Sequence, residues 1–536
     1  MKLPDPYKDE AAKSWNIYDA SRFTEDRYFE ADVVIVGTGS GGGTAAEVLS
    51  RAGKKVILVE EGSLKTSTDF NLNEKEAYST LYQDGMTRLS LDGGISILQG
   101  RTVGGGTVVN WTSSFRTPEP TLNHWNSRLR IKDHTVESMR PWFEMLEKRL
   151  EIATWTSPNT NNQTLLKGAE KLGIRADLIP RNVKGCWNLG YCGLGCPTNA
   201  KQSMLVSTIP SALKSGATLI HNLQVNHLRS NGHSVESVEA YGRSERRPQV
   251  RIKAKIVILS AGAIGTPGIL LRSTSIPNPY GTAGRRTFLH PTLFTFGRMP
   301  DEVNGFHGAP QSAYSDHYQW QDVADGPIGF KIEATPMHPA FASVIIRGFG
   351  LEHRQRLNDL KYTAGFLALL RDGFHPDSPG GRVQLRPDGS PVVDYPINGY
   401  LLEGAKRAVL KMAEILFAAG AKSVHVGHFQ TGDYSSWSEA QKGINQLAFE
   451  PLILRVGSAH VMGGSAMGPD PRDSVVDETG RHHHIDNLYV MDGSLFPTSV
   501  GANPQLSIFA LTAKLSHQII GDGKIYLDLP NVSTNH

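Results

Sequence analysis

The sequence predicts an α/β protein of two domains: a dinucleotide-binding unit, and an α+β body with an antiparallel sheet flanked by helices. Three observations point there. A buried strand, a glycine turn and a small-residue helix follow one another in ADVVIVGTGSGGGTAAEVLS, residues 31–50. A strand running into glycines recurs at 256–268 and again at 487–493. The length, 536 residues, exceeds what one hydrophobic core fills.

In the first unit, the β-branched run Val33–Val36 reads as a strand buried on both faces. It breaks into Gly37-x-Gly39-x-x-Gly42, and Thr44, Ala45, Ala46 and Leu49 continue as a helix. The spacing divides three tasks among glycines: a tight turn, close approach to a pyrophosphate, and helix-on-strand packing. The helix N-terminus then offers free N–H groups and a positive dipole end to phosphate. A second strand, Lys55–Val59, ends in Glu60, where a carboxylate is placed to bind an adenosine ribose. This Rossmann-like βαβ unit suits NAD as well as FAD.

Composition narrows the partners. A formal charge of +3, from 55 basic and 52 acidic residues, gives no nucleic-acid footprint. The N-terminal MKLPDPYKDEAAKSW lacks an apolar core, so no signal peptide is expected. No apolar run approaches the roughly 20 residues that span a bilayer, so no transmembrane segment is expected and peripheral membrane contact stays open. Only three cysteines occur, which fits a reducing compartment, and a cytoplasmic location is expected.

Taken in order, residues 1–30 show no period and are expected as an extended arm, and 63–99 as a loop or lid. Gly100–Trp111 holds the triplet Gly104-Gly105-Gly106 and Thr107, which suits backbone lying against a flat or anionic ligand. Helices are expected at Pro141–Ala153 and Leu165–Leu172. Cys186, Cys192 and Cys196 are too few for an iron–sulfur cluster, so a structural loop with a Cys192–Cys196 contact is favoured over a metal. Strands follow at Ala217–His221, Val225–Leu228 and Ile256–Leu259; the last leads through Gly262 into a helix with Pro267 in its first turn.

Alternation at Phe341–Ile346 and Val383–Leu385 suggests strands of an antiparallel sheet, and Ala405–Ala419 an amphipathic helix capped by Gly420. Near the C-terminus, His460 precedes a glycine-rich turn. Strand Asn487–Met491 runs into Asp492-Gly493, and Asn503-Pro504-Gln505 opens a last helix through Leu515. Consecutive His482, His483 and His484 do not face one way, so a solvated turn is expected there rather than a metal site.

Four segments in this order resemble the glucose-methanol-choline (GMC) oxidoreductases: the glycine fingerprint, GRTVGGGTVVNW, SAGAIGTPGILLRS, and the HVMGG…YVMDGSLFP…ANPQ block. CGLGCPTNAKQS is most similar to the branch of long-chain alcohol oxidases and bacterial alcohol dehydrogenases. The resemblance implies FAD in a discontinuous domain made of 31–118, 200–292 and 456–536, with 119–199 and 293–455 binding substrate. It implies that Gly37, Gly39, Ser40 and Gly42 cradle the pyrophosphate and Glu60 the ribose. Gly104, Gly105, Thr107 and Asn110 would lie along the flavin ring and Val225 on the adenine side, with Arg101, Trp111 and Ala261 as further cofactor contacts. Asp492 and Gly493 would hold the ribityl side, with Asn503, Pro504 and Gln505 closing the ring. Where some members carry a flavin-linked histidine this chain has Val109, which implies non-covalent FAD.

The family's catalytic pair falls on His460 and Asn503, and Glu333 in IEATPMHP loosely matches a glutamate of cholesterol oxidases. Oxidising an alcohol moves a hydride to flavin while the hydroxyl loses its proton. Imidazole titrates nearest neutral pH, so His460 is the expected base and Asn503 the residue that orients the oxygen. The other histidines, His290 included, are expected to be structural. The expected activity is oxidation of a primary or secondary alcohol, with electrons passed to a quinone-like or other acceptor. An oxygen-using oxidase and a flavin-fold lyase or isomerase are the alternatives.

Overall fold

Strand Arg27–Val36 lies near the middle of an eight-stranded sheet ordered 16–19, 218–221, 56–59, 27–36, 249–259, 235–242 and 223–230, with 488–490 beside 249–259. The structure, a computed structural model, describes residues 5–321 and 323–527; the outermost parts of the expected arm (1–4) and of the third cofactor segment (528–536) lie outside the described residues. Val33–Val36 and Val56–Val59 are buried throughout, as an unbroken apolar run in a parallel sheet should be. Parallel registers set Val36 beside Val59 and Leu259, and Leu259 beside Val490. Four strands therefore end at one edge. From it leave the turn at 37–39, the acid Glu60, and the turns at 260–262 and 492–493.

The second sheet is ordered 95–97, 456–458, 292–298, 363–370, 330–334, 313–315 and 177–178, with 423–426 beside 292–298. Its strands alternate between two environments. Ala364, Phe366, Ala368 and Leu370 join the core under helices Thr160–Lys171 and Gly399–Ala419, while Leu367 and Leu369 face a separate apolar cluster with Phe294, Phe341 and Ile345. The same period acts on FKIEA: Phe330 and Ile332 point with the helix-side core, which leaves Lys331 and Glu333 on the other face. Ile95–Ile97 and Val456–Ser458 both lie in segments expected to serve the cofactor domain, yet they pair parallel to each other in this sheet.

Several expectations change. The segment 1–30 is not only an arm: Asn16–Asp19 pairs parallel with Thr218–His221, and 27–30 lengthen the central strand. Residues 63–99 include helix Glu74–Leu81. Phe341–Ile346 is not a strand: 341–345 belong to helix Pro339–Ile345 and Ile346 caps it, because Pro339 starts the helix and Phe341 and Ile345 are i,i+4 neighbours on its apolar face. Pro141 and Pro267 are not first-turn residues; each is the sixth residue of its helix, Val136–Arg149 and Gly262–Arg272. The first of these begins earlier than its proline because Thr135 and Ser138 form a capping box. Cys186, Cys192 and Cys196 are free thiols, and Cys192 Sγ accepts from Arg181 Nη2 at 3.4 Å. Gly420 caps its helix in the left-handed region, as expected.

The turns at the common edge are packed backbone on backbone. A Cβ on Gly41 would stand 1.7 Å from the carbonyl oxygen of Met491. Gly41→Ala should therefore lower the thermal midpoint and impair cofactor loading, at a cost of about 1–3 kcal/mol. Gly399→Ala, whose Cβ would meet nothing within 4 Å, should be neutral or stabilising in the same melting experiment.

Candidate active site

Where the strand edge of the first sheet meets the apolar face of the second lies a cavity of about 1630 Å³. Single-ligand sites commonly run ~300–1000 Å³, so this one has room for a dinucleotide and a second molecule.

At the nucleotide end, Gly37, Gly39 and Ser40 line the cavity together with Gly41, which the glycine spacing does not single out. Helix Ser40–Arg51 starts here with Gly39 as its N-cap. Gly42 does not line it: its Cβ position is 1.9 Å from the Gly37 carbonyl oxygen, so Gly42 is the packing glycine. Glu60 lines the cavity, and its carboxylate accepts from Thr38 N (3.1 Å), Thr38 Oγ1 (2.6 Å) and Gly62 N (2.8 Å). Burial outweighs these bonds and lifts its pKa to about 7. Thr38 Oγ1 also accepts from Gly104 N at 2.9 Å, which joins the two glycine loops.

In the second loop Arg101, Gly105, Asn110 and Trp111 line the cavity. Gly104 and Thr107 do not, contrary to expectation. Gly104 is covered by Val108 and Leu205, and the Thr107 hydroxyl donates to Gly104 O (2.6 Å) and accepts from Met204 N (3.0 Å). Gly105, at φ 52°, could not carry a side chain, since its Cβ would stand 2.8 Å from Gly39 Cα. Val225, Ala261, Asp492 and Gly493 also line the cavity. Asp492 accepts from Gly262 N (2.9 Å), Thr266 Oγ1 (2.6 Å) and Ser494 N (2.7 Å), so one carboxylate ties the 260 and 492 turns together. These cradles leave space only for backbone, which is what a bound pyrophosphate and ribityl chain require.

At the other end stand His460, just past strand Val456–Ser458, and Asn503, Pro504 and Gln505 at the start of helix Gln505–Ile520. Asn110 Nδ2 donates to Gln505 Oε1 at 2.6 Å and so holds the second glycine loop to this helix. Burial, with the nearby Lys331 charge, pushes the His460 pKa down to about 3, and the ring faces the cavity. Its Nδ1 is 3.3 Å from Nδ1 of His290, expected only as a structural residue. His290 Nε2 accepts from the N–H of Gly501, two residues before Asn503.

Glu333 does not reach the cavity. It is fully buried behind Asn503, accepting from Asn503 Nδ2 at 3.3 Å and from Gln311. Lys331, absent from the sequence reading, forms an ion pair with Glu333 at 3.1 Å and donates to Asn503 Oδ1 at 3.0 Å. Its ammonium lies 3.0 Å from the centre of the Phe115 ring, and burial lowers its pKa to about 8. The alternation of charged and apolar residues in FKIEA was the signal that could have found it. Lys331 on Oδ1 and Glu333 on Nδ2 fix which way the Asn503 amide faces, and the second Nδ2–H is left for a ligand. Phe294, Leu367, Leu369, Phe341 and Ile345, one apolar cluster, line the same cavity as an apolar wall. Among the described residues no group of three or more His, Cys, Asp or Glu is placed to share a metal ion, and no helix is long and apolar enough to cross a membrane.

Comparison with known proteins gives this geometry a context. Models of the GMC oxidoreductase family match residues 78–292 and 376–512. An uncharacterised GMC-type oxidoreductase of Mycobacterium tuberculosis is 31% identical over 91% of this chain and 76% of its own length. A long-chain-alcohol oxidase of Arabidopsis thaliana, FAO4A, is 29% identical over 89% of this chain and 67% of its own. In structure, the formate oxidase of Aspergillus oryzae superposes with a TM-score of 0.70 over 94% of this chain and 100% of that one, at 16% identity, which shows a shared fold.

The buried pair behind Asn503 is open to test. Lys331→Met should destabilise by about 3–5 kcal/mol, because it strands the Glu333 charge. The double variant Lys331→Met/Glu333→Gln should recover much of that loss in denaturant unfolding.

Proposed function

The chain belongs to the GMC oxidoreductase family, and from that premise we propose that it oxidises an alcohol to the carbonyl with FAD held non-covalently in the cavity. One observation carries the reading: a neutral histidine and an amide N–H, His460 and Asn503, are brought to the end of the cavity away from the dinucleotide cradle. On this reading Gly37, Gly39, Ser40 and Gly41 cradle the pyrophosphate, Glu60 binds the ribose, and Asp492 and Gly493 hold the ribityl side. When bound, the flavin supplies the hydride acceptor.

The residues do the rest. His460 and Asn503 hold the hydroxyl oxygen, and the Lys331 charge behind Asn503 favours the developing alkoxide. The wall of Phe294, Leu367, Leu369, Phe341 and Ile345 favours an alcohol with an apolar chain and excludes water around the reacting carbon. Val109 lines the cavity where a linking histidine would stand, and an aliphatic side chain forms no bond to flavin. We assign the electrons to a quinone-like carrier. The name of the plant relative, an oxidase, supports oxygen as a second reading.

Anaerobic addition of alcohols to the purified holoprotein should bleach the flavin, with apolar chains reacting faster than short polar ones. Persistent yellow with every alcohol would refute the reading, and rapid reoxidation on admitting air would favour oxygen as acceptor. His460→Ala should keep FAD bound yet slow bleaching by roughly 100-fold or more.

The reduction rate should also be flat through pH 5–7, below the point where Lys331 loses its charge. A histidine of ordinary pKa would lose its neutral form through ~6.5, whereas His460 keeps it down to about 3. An inflection near 6.5 that vanishes in His460→Ala would contradict the assignment.

A further inference from the structure

His290 is buried, lies outside the cavity, and holds a left-handed backbone at φ 46°. That conformation is strained for a residue with a side chain, and the surrounding structure must offset it. It is held by Asp372, whose carboxylate accepts from His290 N (3.1 Å), Leu289 N (2.9 Å) and Tyr395 Oη (2.6 Å). The ring is thereby placed between two parts of the site: Gly501 N–H at 3.2 Å from Nε2, and His460 Nδ1 at 3.3 Å from Nδ1.

We propose that His290 is a positioning residue that fixes which proton His460 carries, so that His460 meets the alcohol oxygen as a hydrogen-bond donor. The chain of donors leaves one solution. A backbone N–H can only donate, so Nε2 of His290 is the unprotonated nitrogen. A neutral His290 then carries its proton on Nδ1 and gives it to Nδ1 of His460, which must accept. Neutral His460 is left with its proton on Nε2, the nitrogen turned from His290 toward the cavity. Both rings are held neutral by burial and by neighbouring positive charge, Lys331 among the sources.

The base role expected for His460 therefore changes. Nε2–H of His460 and Nδ2–H of Asn503 together donate to the hydroxyl oxygen. A bound flavin would accept the hydride with both electrons of the C–H bond, and the O–H proton, which neither donor can take, would leave the oxygen for a solvent water, giving the carbonyl. The same ring links His460 to the turn that carries Asn503, so the two donors are set at one spacing.

This inference rests on the alcohol-oxidation reading, but its test does not. In holoprotein labelled with 15N-histidine, the His460 imidazole, assigned by its loss in His460→Gln, should show a protonated Nε2 and a bare Nδ1. His290→Gln reaches Gly501 but not His460, and should give a mixture of tautomers with flavin reduction slowed roughly 10-fold or more at saturating alcohol. His290→Asn restores a donor at the Nδ1 position and should return the Nε2–H signature and much of the rate. A proton on Nδ1 of His460 in the unmodified protein, or His290→Gln leaving both signature and rate unchanged, would overturn the proposal. Failure of any alcohol to bleach the unmodified protein would instead sink the activity and leave the tautomer result standing.

Discussion

Contact between bare backbones is the constraint on which the rest of this structure depends. Gly37 meets Ser260, Gly41 meets Met491 and Gly105 meets Gly39, each at distances that leave no space for a Cβ. Segments more than 400 residues apart in sequence are thereby locked at the ends of four adjacent parallel strands. Asp492 and Glu60 complete the lock with short hydrogen bonds to the same turns. The geometry that excludes side chains is also the geometry that admits phosphates, so packing and binding are one requirement here.

The two ends of the cavity are built on different principles. The cradle relies on backbone and on carboxylates anchored by three protein donors each, which suits a cofactor that stays. The far end relies on side chains delivered by the second sheet: alternate positions of three strands supply Phe294, Leu367 and Leu369 as an apolar wall, and Lys331 and Glu333 as a buried ion pair. Such a pair costs desolvation energy wherever it is placed. Here it fixes the orientation of the Asn503 amide, a task no apolar pair could perform.

Much of this was legible in the sequence, for reasons that differ by element. Val33–Val36 and the turn at 37–42 were readable because strand, glycines and helix are contiguous. The helix at 405–419 is readable from its period and Gly420, though it begins six residues earlier, at Gly399. Gly42, Gly104 and Thr107 were placed on the cofactor because a motif does not say which of its residues pack and which line a space. Phe341–Ile346 was misread because four-residue spacing within six residues also satisfies alternation. His290 carries no local signal and Lys331 only the alternation in FKIEA; the meaning of both comes from partners 170 and 172 residues away. Gly41, too, is meaningful only once Met491 is beside it.

The central claim is that one alcohol oxygen is held by two donors, His460 Nε2–H and Asn503 Nδ2–H, at the flavin end of an apolar channel. The most direct test is a high-resolution structure of the oxidised holoprotein with an unreactive tertiary alcohol of apolar chain. The account predicts the hydroxyl oxygen at ~2.6–3.2 Å from both nitrogens, with the chain along Phe294, Leu367 and Phe341. A hydroxyl that contacts neither nitrogen, or a chain directed away from that wall, would contradict it.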